Sequence, residues 1–331
     1  MAENRNETRE MRYNRFWLGV AVGVSAMALV FGPRPSSGPD RSGTSEQSTD
    51  VTPADSQPNQ CPKSNVDFSK HYDGSVTEYA ITHSELNTYS DLLRNAQTFE
   101  ESTDILNQVF SRWDYDVHIG EVPVLSSSDL ETRGNDIEHT PDLITQELVN
   151  ISSIHILESL SQSPATLLEL TRDTDLYLTI GALSEEGGYS GLYGRDENNR
   201  PFMIVGVGPY DPSGDIFEHE VTHNLFYRLC GDGIGHNDTE IAALNPVGWQ
   251  YTRLHQPDSY WVDITANAYG ATNSTEDTAV NFPRLLRAPL RYLCPEISSP
   301  SAELTPVCKK LELLIERVAA RSPETAEYLV G

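Results

Sequence analysis

The sequence DPSGDIFEHEVTHNLFYRLCGDG, residues 211–233, contains the pattern H-E-x-x-H in the form HEVTH. On a helix, His219 and His223 are four positions apart and project from one face, where two imidazoles can bind the same metal ion. Glu220 then lies beside that metal, where its carboxylate can hold and deprotonate a water molecule. The stretch therefore predicts a metal-binding helix.

The residues around HEVTH predict the two ends of this helix. Asp211 can cap its N-terminus and Pro212 suits the first helical position. Gly231 is a suitable terminator after the last turn. The helix also has apolar positions that can be buried, at Ile216, Phe217, Val221, Leu225 and Leu229.

The chain has 331 residues and a formal net charge of −26. This length is enough for one large domain or two small ones. A strongly acidic chain repels phosphate backbones, so we expect no nucleic-acid partner. The charge is compatible with a solvated surface and does not by itself identify a substrate.

The N-terminal region predicts export. Residues 1–15 contain four arginines and precede an uncharged, largely apolar run at 16–32. This run predicts a transmembrane anchor with 1–15 as its cytoplasmic tail, or a signal peptide that is cleaved near Ala28. Residues 33–65 are rich in Pro, Ser, Gly, Asp and Thr and predict a disordered linker. The folded domain, 66–331, is then outside the cell, either held at the cell membrane by a single span or secreted.

Four cysteines occur in the chain, and none forms a C-x-x-C pair, which argues against a structural zinc site. An even number in an exported chain predicts two disulfides, although free buried thiols are the alternative. Cys294 with Cys308 closes the shortest loop and is our first choice. The remaining pair is then Cys61 with Cys230. That second bond would tie the start of the domain to the end of the metal helix.

Hydrophobic periodicity predicts an α+β fold. Residues 66–170 are expected to be mostly helical, with helices within 84–113 and 140–162. Residues 175–183 predict a strand, and 191–211 predict a hairpin whose turn is DENNRP. The last strand before the metal helix is a candidate sheet edge for pairing with an extended peptide, with an ordinary hairpin as the alternative that the strand order does not exclude.

The C-terminal third is expected to be helical again. A helix is predicted to start near Ser274, which can act as its N-cap, and to be bent or interrupted at Pro283 and Pro289. A last helix is predicted at roughly 301–320, with one apolar face. The fold prediction is thus a mixed sheet with an edge strand, the HEVTH helix, and mainly helical N-terminal and C-terminal parts.

A catalytic zinc needs three protein ligands and one open position, and the helix supplies two ligands. The metzincin pattern would require a glycine where this chain has Phe226 and a histidine where it has Leu229, so both positions argue against a metzincin site. The aspzincin pattern would require an aspartate at Ala266. His236 and His255 are possible third ligands in poorly defined loops.

The best third ligand is Glu276, which lies 53 residues after His223 in the segment YGATNSTEDTAVNF. Here the chain resembles the gluzincin metallopeptidases, a zincin group in which a glutamate on a downstream helix completes the metal site. It is more similar to their lethal-factor-like branch, where a tyrosine precedes the ligand glutamate by seven positions with T-N in between. Tyr269, Thr272 and Asn273 match that arrangement.

The resemblance covers roughly residues 176–283, about a third of the chain. It implies a zincin-like catalytic domain with one Zn²⁺ per chain, bound by both histidines and Glu276. It also implies that Tyr269 donates a hydrogen bond to the oxyanion that forms during hydrolysis. Relatives often have a second acid where this chain has Val280, so Asp277 could orient a ligand histidine in its place.

These features predict an extracytoplasmic zinc metallopeptidase that cleaves peptide or protein substrates, with Glu220 as the general base. A rival interpretation is a non-catalytic cell-surface binding module with the same fold, although such a module has no need of Glu220. A third is a hydrolase of non-peptide amides, such as those of cell-wall material, which would share the metal site.

Overall fold

A four-stranded mixed sheet underlies the metal-binding helix. The strand order is β1-β2-β4-β3; β1, β2 and β4 are parallel, and β3 is antiparallel to β4. The strands are β1 Tyr115–Ile119, β2 Thr174–Thr179, β3 Gly191–Arg195 and β4 Pro201–Gly206. The α+β class with a mixed sheet is therefore confirmed.

The computed structural model describes residues 61–70, 72, 78–126, 144–179, 191–207, 213–231, 238–251, 264–265, 269–298 and 303–331. Predictions for the tail, for the anchor at 16–32 and for most of the 33–65 linker lie outside these ranges. Within the described residues, no helix combines the length and the apolar character needed to cross a membrane.

Ten α-helices are found in the described residues. They are α1 His83–Asn95, α2 Phe99–Phe110, α3 Gln146–Leu160, α4 Ala165–Leu170, α5 Ser213–Cys230, α6 Thr239–Ala243, α7 Ser274–Arg287, α8 Leu290–Leu293, α9 Pro306–Ala319 and α10 Pro323–Val330. The predicted region 84–113 does contain two helices, α1 and α2, and Thr82 caps the first in a capping box with Glu85.

The sheet separates two apolar layers because side chains alternate along its strands. Leu176, Leu178, Met203 and Val205 face the main core, which the helices complete. The opposite face carries a smaller cluster of Leu125, Tyr177, Leu192, Phe202 and Ile204. The central strands β2 and β4 are thus covered on both faces, and α5 packs on the main-core face against β3 and β4.

The prediction that the strand before the metal helix forms the sheet edge was wrong. That strand is β4, which is hydrogen-bonded to β2 on one side and β3 on the other. Among the described strands the two edges are β1 and β3, and β3 is the first strand of the predicted hairpin. The DENNRP turn was correctly placed, because Asp196 accepts backbone hydrogen bonds from Asn198 and Arg200 between the two strands.

Three further predictions are corrected. The region 66–170 is not only helical, because it contains the edge strand β1. Asn273, not Ser274, caps α7, and Pro283 lies inside this helix, whereas the predicted interruption does occur at Pro289, between α7 and α8. The last predicted helix begins at Pro306 rather than near 301, and α10 follows it.

Both predicted disulfides are present. Cys61 is bonded to Cys230, and Cys294 to Cys308. The first links the beginning of the domain to the last residue of α5, and the second links α9 to the residue after α8. Two such bonds indicate an extracytoplasmic location, because reducing compartments keep thiols free.

Candidate metal centre

Helix α5 brings the two histidines of HEVTH together on one face. The Nε2 atoms of His219 and His223 are 3.1 Å apart, and their rings meet edge to face at 4.8 Å. Both side chains retain partial exposure, 18% and 14%, so they lie at the surface of the core. The helix ends after Cys230, where Gly231 adopts a left-handed conformation with φ +74°, as predicted. The predicted capping residues Asp211 and Pro212 lie outside the described residues.

Helix α7 supplies the third side chain. Asn273 accepts hydrogen bonds from the backbone amides of Thr275 and Glu276, which fixes the start of this helix. Oε2 of Glu276 is then 3.0 Å from Nε2 of His219 and 3.3 Å from Nε2 of His223. The histidines and the glutamate, separated by more than fifty residues in sequence, thus converge on one point.

The three atoms fit the donor set of zinc. Ligand atoms at the usual zinc distances and tetrahedral angles lie about 3.3–3.5 Å apart, close to the separations found here. Two imidazole nitrogens and a carboxylate oxygen face one another, so a cation between them satisfies all three lone pairs. Burial acts to raise the pKa of Glu276, but the imidazoles of His223 and His219 outweigh it and hold the pKa well below its usual range.

Glu220 follows His219 and is 4% exposed. Its carboxylate lies against the first residue of the edge strand β3. A Cβ added to Gly191 would be only 2.3 Å from Oε1 of Glu220. The absence of a side chain at Gly191 therefore provides the space that this carboxylate occupies, a contact that the sequence gave no means of predicting.

Tyr269 lies beside the same cluster. It begins a short 3₁₀ turn, Tyr269–Ala271, that leads into α7. Its ring centre is 5.8 Å from that of His219, and 41% of the residue is exposed. The structure thus places the ring of Tyr269 beside the ring of His219.

Asp277 does not orient either histidine, and that suggestion was wrong. Its carboxylate is buried and accepts hydrogen bonds from Lys310 Nζ at 2.6 Å, Tyr251 OH at 2.7 Å and Asn281 Nδ2 at 2.7 Å. Burial raises its pKa even though Lys310 opposes the change. The residue after Glu276 therefore anchors α7 to α9 and holds no ligand.

A second ion cluster joins the helix that carries His219 and His223 to the helix that carries Glu276. Arg287, at the end of α7, donates to Asp215 and through Nε to Glu218 at 3.1 Å. Ser159 of α3 donates to the other oxygen of Glu218 at 2.8 Å. Burial raises the pKa of Glu218, with Arg287 opposing it. Asp215 lies in the first turn of α5 and is also an ion-pair partner of Arg287.

The sequence reasoning overlooked Arg287 and Glu218. The spacing could have indicated Arg287, because it lies eleven residues after Glu276. Eleven residues are about three helical turns, so both side chains lie on the same face of α7. The alternative third ligands His236 and His255 lie outside the described residues.

No family profile matches this chain, and no curated protein matches it. Among solved structures, it is similar to a protein from Bacteroides caccae ATCC 43185 that is provisionally described as a zinc-binding metallo-peptidase. The TM-score is 0.38 and the identity 12%, over 76% of this chain and 92% of that one. This similarity is distant, so the case for a metal centre depends on the chain's own side chains.

Proposed function

We propose that this chain is an extracytoplasmic zinc-dependent metallopeptidase that hydrolyses peptide bonds. The observation that carries the proposal is the convergence of His219, His223 and Glu276 on one point. The residue directly after His219 is Glu220, which carries a carboxylate. A binding module could use the three ligands but has no need of Glu220. The proposal includes attachment to the membrane through 16–32, or secretion after cleavage near Ala28.

His219, His223 and Glu276 hold one zinc ion per chain in this proposal. Bound zinc lowers the pKa of a coordinated water molecule and polarises the carbonyl of the scissile bond. Arg287 and the Asp277–Lys310 pair support the ligands by fixing α7 against α5 and α9. The protein thereby keeps two helices in the relative position that three ligands require.

Glu220 is the proposed general base. Glu220 follows His219 directly, so it is close to the metal site without being one of the three converging ligands. Its contact with Gly191 restricts the position of its carboxylate. It accepts a proton from the attacking water and later delivers it to the leaving amine. A positioned acid–base group contributes roughly 10²–10⁴-fold to such reactions.

Tyr269 is the proposed hydrogen-bond donor to the substrate carbonyl oxygen as negative charge develops there. Its ring beside His219 supports this role. The edge strand β3 is the proposed contact for an extended substrate, because a sheet edge can bind a peptide through backbone hydrogen bonds. The proposal concerns the start of this strand, since the carbonyl of its last residue, Arg195, accepts a hydrogen bond from the backbone amide of Ser126 at 3.0 Å. The carboxylate of Glu220 lies directly against the first residue of β3.

The test is metal-dependent cleavage by the full chain. A randomised peptide pool is incubated with purified protein, with protein treated with 1,10-phenanthroline, and with treated protein after zinc is returned. We expect cleavage, its loss on chelation and its recovery with zinc, at a zinc content of about one per chain. Protein that binds no zinc, or that cleaves equally well after chelation, would contradict the proposal.

A further inference from the structure

The turn that carries Tyr269 lies in a narrow slot. Gly270, the next residue, is buried, and a Cβ added to it would be 2.2 Å from Oγ1 of Thr265. The same atom would be 2.5 Å from Cγ2 of Val280 and 3.3 Å from Cα of Asp277. Ordinary contact begins near 3.4 Å, so these three residues form a closely fitting enclosure around Gly270, the Gly270 slot.

Space, and not backbone conformation, requires a glycine here. Gly270 has no positive φ, unlike Gly231 and Gly248. Residues with a side chain could therefore adopt its backbone conformation, but only glycine leaves room for Thr265 and for α7. The turn thereby approaches the first two turns of α7 more closely than any residue with a side chain would permit.

Lys310 of α9 fixes the width of the Gly270 slot. Its Nζ donates to the carbonyl of Ile264 at 2.5 Å and to Oδ2 of Asp277 at 2.6 Å. Ile264 directly precedes Thr265, so one cation joins the two walls of the slot, the segment 264–265 and α7. Lys310 is 1% exposed, and hydrogen bonds of a charged group are strong where water is excluded. The slot therefore cannot widen without breaking one of these two bonds.

Tyr269 and Gly270 belong to one hydrogen-bonded unit. The carbonyl of Tyr269 accepts hydrogen bonds from the backbone amide of Thr272 at 3.0 Å and from its Oγ1 at 2.8 Å. These bonds close the 3₁₀ turn, so a displacement of Gly270 is transmitted to Tyr269. Glu276 is held separately, because Asn273 caps the helix on which it lies. A change at Gly270 should therefore reach the phenol before it reaches the metal ligand.

We propose that Gly270 is a positioning residue for Tyr269, and that the Gly270 slot holds the phenol where the substrate carbonyl oxygen develops negative charge. Gly270 acts through Tyr269 and is not itself a catalytic residue. The inference rests on the proposed peptidase function and explains how its hydrogen-bond donor is kept in place. Such donors act within about 2.7–3.1 Å of the oxyanion, so a shift of about 1 Å removes the interaction.

Gly270→Ala tests the inference directly in the full chain. The added methyl group must displace the turn by about 1 Å, because contacts of 2.2 and 2.5 Å have to lengthen to about 3.4 Å. For a peptide that the wild type cleaves, we expect kcat to fall about tenfold to a hundredfold, as in Tyr269→Phe, with KM nearly unchanged and about one zinc per chain. Adding Gly270→Ala to Tyr269→Phe should cause little further loss, because the donor is already absent.

A second readout does not depend on catalysis. Tyrosines are labelled as 3-fluorotyrosine, and the ¹⁹F resonance of Tyr269 is the one that Tyr269→Phe lacks. The ring of Tyr269 lies 5.8 Å from that of His219, so the imidazole contributes to its chemical shift. We expect Gly270→Ala to move this resonance, while the resonances of tyrosines distant from the turn stay in place.

Rescue separates positioning from general damage. Thr265→Ala and Val280→Ala remove the two atoms that the new methyl group would meet, Oγ1 and Cγ2. Adding Gly270→Ala to this double variant should therefore leave kcat and the Tyr269 resonance close to those of the double variant alone. Damage unrelated to the slot would instead add to the effect of the two truncations.

Gly248→Ala is the matched control. It adds the same methyl group in a turn where no atom lies within 4 Å of the new Cβ, but where φ is +87° and alanine is strained. It should lower Tm and leave both kcat and the Tyr269 resonance unchanged. Loss of stability and loss of rate are thereby measured separately.

A wild-type kcat in Gly270→Ala, an unchanged Tyr269 resonance, or loss of zinc would overturn the inference. If Gly270→Ala does not fold, Lys310→Met combined with Asp277→Asn removes the ion pair that joins the walls without leaving a buried charge. That variant should lower kcat and move the resonance in the same way, and wild-type values in it would overturn the inference equally. If the wild type cleaves nothing, the peptidase proposal fails, and the resonance still decides whether the slot positions Tyr269.

Discussion

Replacing Gly191 by alanine tests the proposed role of Glu220 without touching any metal ligand. The added Cβ would be 2.3 Å from Oε1 of Glu220 and 2.6 Å from Cγ2 of Ile216. Ordinary contact begins near 3.4 Å, so the carboxylate must retreat by about 1 Å. The nearest atoms belong to side chains and not to backbone, so we expect the fold to persist while the carboxylate moves.

A misplacement of about 1 Å in a reacting group costs on the order of 10²-fold in rate. We therefore expect Gly191→Ala to lower kcat about a hundredfold with KM nearly unchanged and with zinc content still close to one per chain. The assay measures initial cleavage rates beside zinc by elemental analysis. In the Glu220→Gln background the same alanine should have little further effect, because the group that it displaces is already inactive.

Two controls separate this cause from general damage. Adding Ile216→Ala to Gly191→Ala relieves the apolar clash alone and should not restore the rate. Thermal melting should show the variant folded. A wild-type rate in Gly191→Ala, or a loss of zinc together with activity, would refute the reasoning that Gly191 positions the base.

Three other predictions concern stability. Burial beside Glu316 raises the pKa of Glu312 to about 7, which favours its neutral form in the folded state. The stabilisation from the neutral carboxyl is fully present below about pH 4.5 and is lost as the pH rises through 7. Glu312→Gln should therefore raise Tm by about 1–3 °C at pH 8 and leave it unchanged at pH 4. An equal change in Tm at both pH values would contradict this. Replacing Cys61 and Cys230 by alanine should lower the free energy of unfolding by about 2–5 kcal/mol in denaturant titrations, because the bond spans 169 residues; an unchanged value contradicts it. Arg287→Gln leaves the buried carboxylate of Glu218 and the partly exposed one of Asp215 without their cation and should cost about 3–5 kcal/mol in the same titration. A cost below about 1 kcal/mol would show that the ion cluster is dispensable.

The metal helix was predictable because its signals are local. HEVTH, the apolar positions and Gly231 all lie within one stretch, and spacing alone puts the histidines on one face. The disulfides were predictable for a different reason, since four cysteines allow few pairings and the shortest loop is favoured.

The sheet was only partly predictable, because strand order depends on partners far away in sequence. The hairpin fixed β3 beside β4 but not which of them pairs with β2. A signal was available in composition. PFMIVG is apolar throughout, as expected for a strand covered on both faces, whereas GLYGR is not. Strand β1, YDVHI, was missed because its polar residues alternate over only five positions.

The supporting contacts of the site were the least predictable. Asp277 and Lys310 are 33 residues apart on different helices, and only packing of α7 against α9 brings them together. The close approach of Gly191 to Glu220 likewise follows from the way α5 packs under the edge strand. Such contacts depend on tertiary structure, and no local pattern encodes them.

In the proposed function Glu276 is a zinc ligand and Glu220 is a base, and this pair of roles gives opposite results on zinc binding. These roles are tested most directly by measuring zinc content and peptidase rate together for the wild type, Glu220→Gln and Glu276→Ala. We expect about one zinc per chain in Glu220→Gln with a rate lowered roughly 10²–10⁴-fold, because the ligands remain and the base is gone. We expect loss of both zinc and activity in Glu276→Ala, because two histidines alone form a weak site. Full zinc occupancy in Glu276→Ala, or full activity in Glu220→Gln, would contradict these roles.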